Sequence, residues 1–249
     1  MMYRTFLLLI VAGVASSCAS QNCGLELPRC KHDDALIEHI GYTLSYNDEL
    51  LSAKWVAWEL TSEEAEGQYP RDKNFYADPD WRGLQADNSD YRRSGWSRGH
   101  LAPAGDMKWS EQAMRESCYL TNICPQDASL NDGAWRKLEE LCRRLTDKYG
   151  KIWICCGPVF YTNTYRTIGA NGVAVPDAFF KVLLVRTADG AYQSIGFVFK
   201  NNGDKQPLAD CSMSVDDVER ITGLDFYPSL QNRIERKVES AFNLKCWNL

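Results

Sequence analysis

The stretch SRGHLAPAGDMKWS, residues 97–110, contains one of only three histidines in a chain of 249 residues. His100 leads into a run of Gly, Pro, Ala and Asp, which predicts an exposed loop. Three arginines precede it within nine positions: Arg92, Arg93 and Arg98. Positive charges near an imidazole lower its pKa, because they disfavour the protonated form. The pattern therefore indicates a site that binds an anion, with His100 as a base.

The segment DGAWRKLEELCRRLTDKYG, residues 132–150, has the clearest helical pattern of the chain. Its apolar residues recur at helical spacing, from Trp135 through Leu138 to Leu145, and Gly150 lies where a helix C-cap belongs. Before it, CYLTNICPQ at residues 118–126 predicts a strand that stops at Pro125.

Further elements predict an α+β domain with a central, mostly antiparallel sheet flanked by helices. Residues 41–61 predict two strands joined by an Asn-Asp turn, and the apolar run 151–160 predicts a strand buried on both faces. Two more strands follow at 178–187 and 191–200, and two helices close the chain. Repeats and linkers are absent from the sequence, so we expect one domain over residues 22–249.

The composition is that of an ordinary globular protein, with 45% hydrophobic and 24% charged residues. The formal net charge is −5, and the isoelectric point lies near 5.3. This balance argues against indiscriminate electrostatic binding to polyanions. A local basic groove remains compatible with it, because electrostatic attraction depends on where the charges lie.

The N-terminal residues MMYRTFLLLIVAGVASSCAS predict an export signal. Arg4 precedes an apolar run, Phe6 to Ala15, that is too short to span a membrane. Small residues before Cys18 resemble a bacterial lipoprotein signal, in which the cysteine is lipidated. We therefore expect a signal peptide at residues 1–17 and export to a bacterial periplasm or cell envelope, with Cys18 as a membrane anchor. Ordinary signal cleavage and secretion is the alternative.

Export would make disulfides favourable. Ten cysteines less Cys18 leave nine, so at least one thiol stays unpaired. Cys23 with Cys30, and Cys211 with Cys246, are two pairs that could form bridges. Others could simply be buried thiols.

Four blocks occur in the order found in one known family: SRGHLAPAGDMKWS, YLTNICPQDASLNDGAWRKLEE, GPVF and VPDAFFKVL. Together they resemble the DNA/RNA non-specific endonucleases, which include endonuclease G and secreted bacterial nucleases. The resemblance runs from about residue 41 to residue 230. It implies a ββα-metal core and hydrolysis of DNA and RNA, with Mg²⁺ as cofactor and Mn²⁺ as a substitute.

The resemblance also assigns roles to individual residues. His100 matches the general base that activates water, and Asn131 matches the single protein ligand of Mg²⁺. Glu139 matches a helix glutamate that orients metal-bound water. Arg98 and Asn122 match residues that position and polarise the phosphate. The residues alone allow a plainer interpretation, with Asn131 as a helix N-cap and Glu139 as a surface charge.

The chain departs from the family pattern at two places. Ser97 stands where the signature has Asp, which puts the support of the loop in doubt. Lys73 stands where the family has a phosphate-contacting Arg, and Arg71 lies two residues earlier, so either could bind phosphate. With Arg92 and Arg93 these residues predict a groove that contacts the nucleic-acid backbone without sequence preference.

Two other functions fit parts of this pattern. A phosphodiesterase for small nucleotides would need a closed or acidic pocket instead of a groove. A catalytically inactive nucleic-acid-binding lipoprotein would not need His100 or Asn131, and both are present. A homodimer is compatible with the sequence.

Overall fold

Seven antiparallel strands form the central sheet of this computed structural model, which describes residues 24–32 and 34–249. The order across the sheet is β1-β2-β3-β6-β9-β10-β11. These strands are β1 Ala35–Glu38, β2 Thr43–Asn47, β3 Ser52–Thr61, β6 Lys151–Val159, β9 Ala178–Arg186, β10 Tyr192–Lys200 and β11 Ser212–Met213. The predicted hairpin in residues 41–61 is confirmed as β2 and β3.

The remaining elements surround this sheet. Two pairs of strands lie outside it: β4 Ser97–His100 with β5 Ile123–Gln126, and β7 Thr167–Ile168 with β8 Val173–Ala174. The helices are α1 Ser62–Ala65, α2 Asn88–Tyr91, α3 Glu111–Ser117, α4 Ala128–Leu130, α5 Arg136–Tyr149, α6 Val215–Thr222 and α7 Asn232–Glu239. A π-helical turn, Asn131–Trp135, joins α4 to α5.

Helices cover both faces of the sheet. On one face, α5 packs its apolar side, including Leu138 and Leu145, against Ile154 and Phe197. On the other face, Val218 of α6 packs against Phe180. The inner strands β6 and β9 are consequently buried on both sides, as their continuous apolar sequences predict.

Helix α5 ends where the sequence predicts. Gly150 adopts a positive φ of 74° at the C-cap, a backbone conformation that glycine adopts without steric cost. The prediction that a strand stops at Pro125 is wrong, because β5 continues through Pro125, which pairs with Arg98. In a two-stranded ribbon each strand has a free edge, so the missing N–H of proline is tolerated.

The cysteines of the described residues are mainly core residues. Five are buried thiols: Cys118, Cys124, Cys142, Cys155 and Cys156. The suggested bridge between Cys211 and Cys246 is wrong, because both are free thiols that pack at the edge of the core. Cys23 and Cys18 lie outside the described residues. Among residues 24–32 and 34–249, no helix has the length and apolar character needed to cross a bilayer.

Burial of α5 predicts the cost of shortening one of its core side chains. Leu138 is fully buried, so we expect Leu138→Ala to lower the free energy of unfolding by about 2–5 kcal/mol. The exposed neighbour Lys137 supplies the control, and Lys137→Ala should change it by less than about 0.5 kcal/mol. Denaturant unfolding measures both. Equal effects of the two substitutions would contradict the packing described here.

Candidate active site

Strands β4 and β5 and the helical segment after them form one compact unit at the side of the sheet. His100 ends β4 and pairs with Ile123 at the start of β5. Gly99 is required here, because a Cβ at this position would lie 2.6 Å from Cβ of Gln126 on the neighbouring strand. The Gly-His sequence therefore allows β4 to approach β5 closely and fixes where His100 lies.

Asn122 holds the chain that follows His100. Its Oδ1 accepts a hydrogen bond from the backbone N–H of Ala102 at 2.9 Å. Its Nδ2 donates to the carbonyl oxygens of Ala102 at 2.9 Å and Ser117 at 2.8 Å. The side chain is fully buried, and its amide contacts backbone groups of the protein. The Asn122 side chain therefore lies in the protein interior, where it fixes the loop that follows His100.

His100 is buried, with 7% of its surface exposed, so the prediction of an exposed loop position is wrong. Its ring packs against Phe75, and its Nε2 lies 4.0 Å from Sγ of Cys118. Burial, followed by the charge of Arg71, lowers the pKa of His100 to about 3. The imidazole is therefore neutral at physiological pH. The predicted cause, neighbouring positive charge, contributes less than burial does.

The Asn131 side chain does not cap α5, whose N-cap residue is Trp135. Asp127 caps α4, since its carboxylate accepts hydrogen bonds from the N–H groups of Ser129 and Leu130. The Asn131 Nδ2 donates to Oδ1 of Asp132 at 3.2 Å. In the described part of the chain, the Asn131 amide oxygen accepts no hydrogen bond, and so it remains available to a ligand.

The backbone between Asn131 and Glu139 is not a continuous helix. In a regular α-helix, the two residues would be rotated by about 80° relative to each other. Gly133, with φ −106° and ψ −107°, lies outside helical geometry and kinks the chain between α4 and α5. Both residues line the same pocket, so this kink, and not a regular helical spacing, sets how the amide oxygen and the carboxylate are placed.

Glu139 lies at the base of the site. Burial and the nearby Asp106 raise its pKa to about 7, although Lys181 and two arginines oppose this. Its carboxylate makes no hydrogen bond to another group among the described residues. A carboxylate held with a raised pKa and open oxygens is a favourable partner for a cation or for metal-bound water.

Three charged residues, Lys181, Asp106 and Arg143, act electrostatically on Glu139. Lys181 on β9 is fully buried, and its Nζ lies 4.4 Å from the ring centre of Trp135 and 5.0 Å from that of Trp58. Burial alone would lower the pKa of Lys181, but its interactions with the Cys156 and Cys142 thiols, and then with Glu139 and Asp106, raise the pKa. Asp106 accepts hydrogen bonds from Arg143 at 2.6 Å and from Trp58 at 3.2 Å.

Residues of β4, the π-helical turn and α5 line one pocket of about 100 Å³. It brings together four residues predicted from the sequence: Arg71, His100, Asn131 and Glu139. Two charged lining residues were missed, Asp132 and Arg136. The spacing of Arg136, Glu139 and Arg143 at i, i+3 and i+7 could have revealed that Arg136 shares the helix face of Glu139.

The other predicted residues lie outside this pocket. Arg98 donates a hydrogen bond to the carbonyl oxygen of Asn88 at 2.8 Å, and its guanidinium packs over the rings of Phe75 and Tyr91. Three cationic residues are exposed and do not line the pocket: Lys73, Arg92 and Arg93. Arg71 and Lys73 were the two alternatives for the upstream phosphate contact. Arg71 lines the same pocket as His100, whereas Lys73 does not.

Two antiparallel strands followed by a helix, with a histidine on the first strand, form the core of the ββα-metal nucleases. The DNA/RNA non-specific endonuclease family matches residues 28–233 of this chain. The chain therefore belongs to this family of metal-dependent nucleases. The predicted family, whose members are nucleases, and the predicted α+β ββα-metal fold are confirmed.

Relatives and a solved structure agree with this assignment. The chain is 40% identical over 210 residues to the mitochondrial nuclease EXOG of Danio rerio, an alignment that covers 78% of this chain and 61% of that protein. It is 37% identical over 205 residues to mitochondrial endonuclease G of Bos taurus, with 77% and 69% covered. The solved EndoG/EndoGI complex is similar with a TM-score of 0.76 and 32% identity, covering 83% of this chain and 90% of that one.

These relatives correct the expected localisation. The nucleases of Danio rerio, Bos taurus and Schizosaccharomyces pombe are named as mitochondrial, which contradicts a lipid-anchored protein of a bacterial envelope. A basic residue followed by a short apolar run is a weak pattern that different targeting segments share. Residues 1–17 and Cys18, on which the expectation rested, lie outside the described residues.

The raised pKa of Glu139 predicts that divalent-cation affinity increases with pH. A carboxyl group with a pKa near 7 is mostly protonated at pH 6 and mostly ionised at pH 8, and only the ionised form attracts a cation. We expect the affinity for Mn²⁺, measured from the EPR signal of the free ion, to rise about tenfold over this range.

Substitution of Glu139 tests the origin of this dependence. Glu139→Gln should flatten it, whereas Glu140→Gln, on the neighbouring residue outside the pocket, should retain it. A slope in Glu139→Gln equal to that of the wild type would assign the dependence to another group.

Proposed function

We propose that this chain is a Mg²⁺-dependent endonuclease that hydrolyses phosphodiester bonds of DNA and RNA without sequence preference. The observation that carries the proposal is the single pocket in which a neutral histidine, an open amide oxygen, a carboxylate and an arginine meet. Residues 22–249 constitute one nuclease domain in this proposal. The matched segment is 61% of the Danio rerio nuclease, so the activity of the full-length relatives is carried over only as a proposal.

The residues of the pocket fit a hard divalent cation. The Asn131 amide oxygen would be its direct protein ligand, and Glu139 would hold water molecules of its coordination shell. Mg²⁺ prefers oxygen ligands and retains several waters, so one amide and an outer carboxylate suffice. When bound, the cation supplies positive charge that stabilises the phosphate in the transition state. Mn²⁺ has the same ligand preference and would substitute.

His100 would accept the proton of the attacking water. Its Nδ1 makes no hydrogen bond to the described residues, and Nε2 lies beside the Cys118 thiol, so Nδ1 is the atom assigned to this step. The pKa of about 3 describes the protein without substrate. A bound phosphate diester offsets the charge of Arg71, which raises the basicity of the imidazole where the proton is taken.

The arginines of the pocket would hold the substrate. Arg71 and Arg136 line the same pocket as His100 and can bind the non-bridging phosphate oxygens. Attack of water on phosphorus would leave a 5′-phosphate and a 3′-hydroxyl. Asn122 and Arg98 act as positioning residues, because their hydrogen bonds go to backbone groups.

Backbone contacts explain how an acidic protein would act on a polyanion. The net charge of −5 describes the whole chain, whereas the pocket places Arg71 and Arg136 beside His100. Lys73, Arg92 and Arg93 would extend this surface along the nucleic-acid backbone. Contacts to phosphate carry no base specificity, so preference among sequences should be weak. A homodimer remains a prediction.

Removal of the base should abolish turnover. We expect His100→Ala to lower kcat for plasmid cleavage by about 10²-fold or more. His100 is buried, so the smaller side chain also leaves a cavity, and His100→Gln serves as a second variant that fills it. Thermal unfolding should show that at least one variant is folded. A folded variant that cleaves plasmid within a few-fold of the wild type would exclude His100 as the base.

Arg71 and Lys73 make a matched pair for the phosphate contact. Arg71→Ala should lower kcat/KM for duplex DNA at least tenfold and reduce the slope of log KM against log salt by about one. Lys73→Ala and Arg92→Ala should each change kcat/KM by less than about threefold, since both residues lie outside the pocket. Bis(p-nitrophenyl) phosphate gives the comparison with a small diester. A larger loss in Lys73→Ala than in Arg71→Ala would reverse the assignment.

A further inference from the structure

A second group of ligating side chains lies around His39, which shares no residue with the active-site pocket. The His39 side chain is 1% exposed and is enclosed between the segment that carries Asp78 and Asp80 and helix α3, which carries Glu116. None of these residues has a role in the proposed reaction.

The hydrogen bond to Asp78 determines which ring nitrogen of His39 carries a proton. Its Oδ2 lies 3.1 Å from Nε2 of the imidazole and also accepts a hydrogen bond from Thr121 at 2.5 Å. The carboxylate can only accept, so Nε2 carries the proton in this pair. In the neutral imidazole, the lone pair is then on Nδ1.

That lone pair meets no donor. Nδ1 of His39 is buried and has no hydrogen-bond partner. Asp80 Oδ2 lies 3.8 Å from it and Glu116 Oε2 lies 3.9 Å from it, which is too long for hydrogen bonds. Ligand atoms about 2.1 Å from one tetrahedral ion are separated by about 3.4 Å, so each of these oxygens lies about 0.5 Å farther from Nδ1 than a shared ion would place it.

The charge around His39 is unbalanced. Three carboxylates surround one imidazole, and within the described ranges none of the three lies within 4 Å of a Lys or Arg nitrogen. Asp80 keeps 63% of its side chain exposed, which leaves an entry path from solvent. A divalent cation would satisfy the lone pair and neutralise the carboxylates at once.

We propose that His39, Asp80 and Glu116 bind a divalent transition-metal ion of the Zn²⁺ type, with Asp78 orienting the imidazole. A histidine with a carboxylate on one nitrogen and a metal on the other is the usual arrangement of such sites. One nitrogen and two carboxylate oxygens suit Zn²⁺, and water completes the four ligands.

The site would connect three separate parts of the chain. Asp78 and Asp80 follow the segment that begins with Arg71, and that segment pairs with the residues just after α3 through the bridge between Tyr76 and Tyr119. A bound ion would therefore fix the segment of Arg71 beside Cys118 and His100. Its role is structural, and its existence does not depend on the proposed nuclease mechanism.

Metal content tests the proposal directly. Protein stripped with EDTA, incubated with Zn²⁺ and dialysed should retain one equivalent by elemental analysis, and Asp80→Asn should lose it. Asp80 is exposed, so this variant should fold. Asp48→Asn, an exposed carboxylate elsewhere, and Asn131→Ala, in the active site, should both retain the ion. Retention of the full equivalent by Asp80→Asn, or no retained Zn²⁺ in the wild type, would overturn the proposal.

Nitrogen-15 NMR reports on the imidazole itself, because the chain has only three histidines. We expect Zn²⁺ to shift the Nδ1 resonance of His39 and to leave the proton on Nε2. Two protonated nitrogens that Zn²⁺ leaves unchanged would identify the cluster as an ion pair of imidazolium and carboxylates, and would contradict a metal site.

Discussion

The indole of Trp135 connects the parts of the molecule on which the active site depends. Its Nε1 donates a hydrogen bond to the carbonyl oxygen of His100 at 3.2 Å, which ties the start of α5 to the end of β4. Its ring packs against Phe179 and Phe199 of the central sheet. Because Trp135 also ends the π-turn, one buried side chain sets the position of the base relative to the amide oxygen of Asn131.

Burial adjusts the two titrating groups of the pocket in opposite senses. It lowers the pKa of His100 to about 3 and raises the pKa of Glu139 to about 7, since it disfavours the charged form of each. The pocket therefore contains a neutral imidazole that can accept a proton and a carboxyl group that can still lose one. Lys181, held against two indole rings, is the buried cation that favours the ionised form of Glu139.

The sequence predicted which residues line the pocket better than it predicted how they are arranged in space. His100, Asn131 and Glu139 were identified because the sequence blocks that contain them resemble those of one nuclease family, in the same order. The kink at Gly133 was not foreseen, since residue propensities do not reveal it within a helical pattern, and it changes how Asn131 is placed relative to Glu139. Lys181 was overlooked as a single charge in an apolar strand, although such a position requires a partner. The predicted localisation was wrong because different targeting segments share a basic residue followed by a short apolar run.

A crystal structure with Mn²⁺ and bound DNA tests the central claim most directly, because manganese is located by its anomalous signal. The account predicts a peak within about 2.5 Å of the Asn131 amide oxygen, with Glu139 reaching it through water and a phosphate between Arg71 and His100. Phosphate bound instead along Arg92 and Arg93, with no manganese at Asn131, would contradict it.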